Sequence, residues 1–167
     1  MLSAEIAEII AKSESADLVF GLFDRRGLHL DMEADISKDD LLRFCIYNVD
    51  LTRNHKREFI TVILTVNPPK HRTIESEVLS FKPIIVELQE KDADAALADI
   101  REKIKNNEPV NELLLAYLPL FKSKYLTPAG LIKEVLPLIK SSNLDEATQQ
   151  KIAALMLYSR AKTSSKN

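Results

Sequence analysis

Hydrophobic and polar positions along the chain change period once, near residue 90. Before that point apolar residues alternate with polar ones or run together, as in strands; beyond it they recur every three or four positions, as in helices. Leu28-His29-Leu30-Asp31-Met32-Glu33 is the clearest alternation. On a strand Leu28, Leu30 and Met32 share one face, and His29, Asp31 and Glu33 the other. Residues 16–24, rich in Val, Leu and Phe, predict the preceding strand, with Asp24-Arg25-Arg26-Gly27 as the turn. The run from Phe59 to Val66 is apolar enough for a central strand, and Asn67-Pro68-Pro69 stops it. Two shorter strands are expected over residues 78–81 and 84–88, broken at Pro83.

Helical spacing surrounds these strands. Ser3 can cap a short helix over residues 4–11 with Ile6, Ile9 and Ile10 inward. Ser37-Lys38-Asp39-Asp40 predicts a cap with acids in the first turn of a helix running to about Asn54. Its expected core side is Leu41, Leu42, Cys45, Ile46 and Val49, with Arg43 and Tyr47 one turn apart on a flank. Ala96, Leu97, Ile100 and Ile104 line a later helix, residues 113–118 form a short one ended by Pro119, and Thr127-Pro128 opens another. The last spans residues 145–161 and presents Ile152, Leu155 and Met156; residues 163–167 are expected to be a flexible tail. The expected class is α/β: a small mixed sheet flanked by helices over residues 1–90, with a helical part over residues 91–162 packed on it.

Composition adds limits. At 167 residues the chain suits one domain with a real core. A net charge of −2 is not the basic signature of a nucleic-acid binder, but the charge is uneven. Residues 1–90 carry 11 Lys and Arg against 16 Asp and Glu, and residues 91–167 carry 12 against 9, so the acidic excess lies with the strands. Cys45 is the sole cysteine, which excludes an intrachain disulfide; set among Phe44, Ile46 and Val49 it reads as core packing. One Cys and three scattered His do not make a zinc site. No signal peptide and no long apolar run are present, so a cytoplasmic protein without a membrane partner is expected.

Candidate chemistry rests on the turn. Two carboxylates two residues apart on a strand point the same way and can hold a hard divalent cation. A three-residue loop with Gly27 left-handed sets Gly21 opposite Asp31 and Val19 opposite Glu33, with Asp17 a diagonal step from Glu33 on the same face. Three carboxylates then converge. A two-residue loop turns Asp17 to the other face, and alternating acids are also what a plain solvent face looks like. Arg53, Lys56 and Arg57, together with Lys70 and Arg72, are cationic candidates for substrate phosphates, or ordinary surface.

Asp17-Leu18-Val19-Phe20, the strand ending at Glu33, a helix holding Arg43 and Tyr47-Asn48-Val49, and an Ile/Val-rich strand follow one another in an order that resembles the PD-(D/E)XK nuclease superfamily. The closer likeness is to its recombination-promoting nuclease and transposase-like branch, where a strand beginning with Asp precedes one reading roughly Leu-His-Ile-Glu-Phe-Gln. Ser80-Phe81-Lys82-Pro83-Ile84-Ile85 is similar to a later Ser-Phe-x-Pro-Ile-Ile of that branch. The likeness covers about residues 14–160.

The resemblance implies a restriction-endonuclease-like core and a metal-dependent hydrolase that cuts DNA with Mg²⁺ or Mn²⁺, and it makes a homodimer reasonable. Asp17 takes the place of the first metal-binding Asp, Asp31 that of the second acid, and Glu33 the third position, which is Lys in most of the superfamily and Gln in this branch. Arg43 and Tyr47 match helix residues that flank the site. There are two departures. Glu33 cannot orient water as a Lys is thought to, and would act as a metal ligand or general base. The family core also supplies a helix and a further strand before the Asp, whereas only the helix over residues 4–11 is expected here, with Glu5 or Glu8 as the candidate for an added carboxylate. The competing reading is a non-catalytic interaction or regulatory protein on a degenerate nuclease-like fold.

Overall fold

The computed structural model describes the backbone of residues 6–12 and 18–164 and the side chains of residues 18–161. Two compact units divide the chain, Met1–Val86 and Glu87–Asn167. The first carries strands β1 (Ile6–Lys12), β2 (Leu18–Leu22) and β3 (Gly27–Glu33), helix α1 (Lys38–His55), then β4 (Phe59–Thr65), β5 (Ile74–Glu75), β6 (Ser80–Phe81) and β7 (Ile84–Glu87). One sheet has the order β1-β2-β3-β4-β7, and β5 pairs with β6 apart from it. The first three strands form an antiparallel meander, while β4 runs parallel to β3 because α1 carries the chain back between them. The fold is therefore α/β with a small mixed sheet, as expected.

Residues 6–12 are a strand and not part of a helix over residues 4–11. Ile6 and Ile9 look helical in spacing, but β1 pairs with β2 through register shifts between Ile6 and Glu8 and between Ile9 and Ala11. Such bulges add a residue and break the strand's period of two, and pairing along β2 outweighs a weak helix preference.

The hairpin has a three-residue loop, but two positions earlier than expected. Leu22 N donates to Arg26 O at 2.9 Å, Arg25 N donates to Leu22 O at 3.1 Å, and the left-handed residue is Arg25, with φ 69°. Asp24 holds this turn: its carboxylate accepts from Arg26 N at 3.0 Å and from Arg26 Nε at 2.8 Å. The register becomes Val19 opposite His29 and Gly21 opposite Gly27, replacing the expected pairs with Glu33 and Asp31. Gly27 answers a different need, since a Cβ there would lie 2.1 Å from Phe59 Cε1.

α1 starts as the sequence predicts. Asp40 N donates to Ser37 Oγ at 3.1 Å and Ser37 N to Asp40 Oδ2 at 2.9 Å, a complete capping box. The buried side is Leu41, Phe44, Cys45 and Leu51; Ile46 and Val49 are 64% and 58% exposed, not core. Apolar residues occupy both sides of this helix, and the sheet takes the side bearing Phe44. Phe44 and Leu41 pack with Ile36, Ile63 and Ile74, and Leu51 packs with Val19 and Phe59.

The second unit holds α2 (Ala93–Lys105), α3 (Glu112–Tyr117), α4 (Pro128–Ser141) and α5 (Glu146–Ser164). Asp92, Asn111 and Thr127 cap the first three through their side-chain oxygens. Leu97, Ile100, Leu115, Val135, Ile152 and Met156 are buried. α5 runs on to Ser164, past the expected start of a tail at residue 163. Among the described residues no helix is long and apolar enough to cross a membrane.

Candidate metal centre

β3 is hydrogen-bonded on both edges, and α1 covers the face that carries its polar residues. His29, Asp31 and Glu33 are 0%, 3% and 4% exposed, so this is an interior face and not a solvent-facing one. Their parallel neighbours on β4 are Thr61, Ile63 and Thr65. Two carboxylates on one buried strand face are costly to place and demand partners.

Each polar side chain is held in a distinct way. Asp31 Oδ1 accepts from Met32 N at 2.6 Å. Glu33 Oε1 accepts from Arg43 Nη2 at 2.6 Å, and the same nitrogen lies 3.4 Å from Asp40 Oδ1. The Arg43 guanidinium also sits 4.6 Å from the centre of the Phe44 ring. Burial alone would lower the pKa of Arg43, but its hydrogen bond to Glu33 and the charges of Glu33, Asp31 and Asp40 outweigh this and raise it. His29 meets Tyr47 edge-on, ring centres 4.8 Å apart, with Phe44 at 6.1 Å. Burial drives the His29 pKa down to about 4; Asp31 opposes that shift and Arg43 adds to it. This imidazole is neutral at pH 7.

Arg43 and Tyr47 thus lie against the carboxylate strand, one on Glu33 and the other on His29. Asp17 and Glu5 lie outside the described residues, and Glu8 occupies a β1 position paired with Gly21. Among the described residues no group of three or more His, Cys, Asp or Glu side chains is gathered to hold a metal ion. The oxygen donors of Asp31 and Glu33 are nonetheless of the type that Mg²⁺ and Mn²⁺ take. Cys45 is buried, and burial raises its thiol pKa, so it is not an activated nucleophile.

The basic runs are separated. Arg53, Lys56 and Arg57 come before the Phe59 end of β4, whereas Lys70 and Arg72 follow its Thr65 end, roughly 20 Å along the strand. Glu33 pairs with Thr65, so only the second run follows the carboxylate end. Arg53 is also ion-paired with Asp50 at 3.1 Å.

Asn48 was not singled out by its sequence, yet it ties α1 to the sheet. Its Nδ2 donates to Phe59 O at 2.8 Å and to Thr61 Oγ1 at 2.9 Å. An amide within the buried stripe of a helix is the signal that marks it. At the other end Thr65 Oγ1 donates to Asn67 O at 2.9 Å, and Asn67 N to Ala34 O at 3.0 Å, which fixes the β4 exit beside the end of β3. No protein-family model matches the chain, and neither a curated protein nor a solved structure does.

Proposed function

We propose that the chain is a metal-dependent DNA endonuclease, or a divergent descendant of one, whose chemistry is centred on Asp31. The observation that carries this reading is the burial of Asp31 and Glu33 on one face of β3, at 3% and 4% exposure. Buried acids on adjacent same-face positions cost stability, and a cation-binding role explains their retention. Two features of the topology support it. β1 supplies a strand ahead of β2, which the nuclease-like core requires, and α1 crosses from the meander to a parallel β4.

In this reading Asp31 and Asp17 hold Mg²⁺ or Mn²⁺, Asp17 by its match to the first acid of the nuclease motif. The chemistry such a cation supplies when bound is polarisation of a phosphoryl oxygen and a lowered pKa for a coordinated water. Arg43 keeps Glu33 in place and, being half-exposed, offers its remaining guanidinium hydrogens to a substrate phosphate. Lys70 and Arg72 are exposed beyond the same strand end and add positive charge for the DNA backbone. His29, neutral and enclosed, shapes the floor of the site.

The test is nicking of supercoiled plasmid with Mg²⁺ or Mn²⁺. Wild type is expected to nick, and Asp31→Ala and Asp17→Ala to lose the activity. Equal cleavage by wild type and Asp31→Ala overturns the proposal. One observation favours a second reading, an interaction or regulatory protein on a degenerate nuclease-like fold: Glu33 occupies the position of the usual Lys and is already bound by Arg43 at 2.6 Å. That reading expects no metal-dependent cleavage.

A further inference from the structure

A cavity of about 210 Å³ lies in the second unit beside the start of α2, lined by Gln89, Glu90, Lys91, Asp92, Lys122 and Lys124. Its two walls are distant in the chain and are tied by hydrogen bonds. Lys122 N donates to Lys91 O at 3.0 Å, and Ala93 N donates to Lys122 O at 2.9 Å. Gln89 Nε2 adds a third tie by donating to Leu120 O at 2.6 Å. The backbone under the cavity is therefore fixed, and it gathers three lysines at one opening.

The acids nearby are already engaged, and the lysines are not. Asp92 Oδ1 caps α2, accepting from Asp94 N at 2.9 Å and from Ala95 N at 3.0 Å. Asp94, behind it, accepts from Ser123 Oγ at 2.6 Å with one oxygen and from Lys124 N at 2.8 Å with the other. Among the described residues no ion pair engages the ammonium groups of Lys91, Lys122 or Lys124. The lining thus holds three cations against Glu90 and a capping Asp92, an excess of positive charge. A concave wall lined mainly by one sign of charge focuses the field and concentrates counter-ions, and an ammonium group binds phosphate as a point charge.

Size narrows the ligand. The volume is that of about seven water molecules, below the roughly 300–1,000 Å³ of sites for drug-sized ligands. A nucleic-acid strand is held along an extended basic groove, whereas this space takes a single phosphoryl group with a small organic body. We infer that the cavity binds a phosphate dianion, free or as the head of a small phosphomonoester, through the ammonium groups of Lys91, Lys122 and Lys124. The inference is independent of the nuclease reading, because every residue in it belongs to the second unit.

Titration of the ¹⁵N-labelled full chain with sodium phosphate at constant ionic strength, followed by amide NMR, tests it. Saturable shifts are expected at residues 89–92 and 122–124, and none with chloride alone. Lys91→Gln and Lys122→Gln are each expected to weaken binding by about tenfold. Lys105→Gln, at the far end of α2, is expected to leave it unchanged. All three lysines are exposed, and an unaltered amide spectrum elsewhere checks that each variant is folded. Ribose 5-phosphate distinguishes the two sources of the phosphoryl group: tighter binding than inorganic phosphate assigns the ester, and equal binding assigns the free anion. The inference is overturned if neither phosphate compound gives a saturable shift, if free ribose binds as well as its phosphate, or if the double variant of Lys91→Gln and Lys122→Gln keeps wild-type affinity. A single-stranded oligonucleotide that binds at these lysines when neither phosphate compound does also overturns it, in favour of a nucleic-acid surface.

Discussion

Gly27 and His29 both sit on β3, and each is constrained by what faces it. Gly27 has no room for a side chain, because Phe59 lies where its Cβ would go. Gly27→Ala is expected to destabilise the first unit by about 1–3 kcal/mol, as overpacking does, read as a lower urea midpoint. His29 is fully buried and its pKa is depressed to about 4, below its ordinary value of 6.5. Between those values the unfolded chain binds a proton that the folded chain refuses, so stability falls as pH drops through that window. Its share of the loss is about 2 kcal/mol between pH 7 and pH 5. His29→Phe, which keeps a ring against Tyr47, is expected to remove that share, so the drop in urea midpoint across this range becomes smaller than in wild type.

α1 shows how an element can be legible at its ends and misleading along its length. Ser37 and Asp40 announce the cap through chemistry that needs no tertiary partner, and both hydrogen bonds form. Ser37→Ala is expected to cost about 1 kcal/mol, with faster amide exchange in the first turn of α1. Which side of α1 is buried was not legible, because Ile46 and Val49 compete with Phe44 and Leu51, and only the sheet decides between them. β1 was misread because its bulges erase the period-two signal. The hairpin was readable as to loop length but not position: Asp24 holds the turn through Arg26, while the glycine expected to end it is placed for Phe59. For the candidate centre, the shared face of His29, Asp31 and Glu33 followed from alternation alone. Their burial did not, since it depends on β2 and β4 flanking β3 and on α1 crossing above it.

At the scale of the whole molecule, the chain divides into two compact units between Val86 and Glu87. The first unit holds both carboxylates of β3, the arginine that grips one of them, and the basic run that follows β4. The central claim is that this unit binds a divalent cation through Asp31, and thermal unfolding in Mn²⁺ tests it most directly. A ligand at about a hundred times its dissociation constant, bound only by the folded state, contributes about 2.7 kcal/mol. For a chain of 167 residues that corresponds to a rise in Tm of roughly 5–10 °C. Wild type is expected to show that rise, and Asp31→Asn, which keeps the shape and removes the charge, to lose it; a Tm that Mn²⁺ leaves unmoved in wild type, or raises equally in Asp31→Asn, contradicts the account.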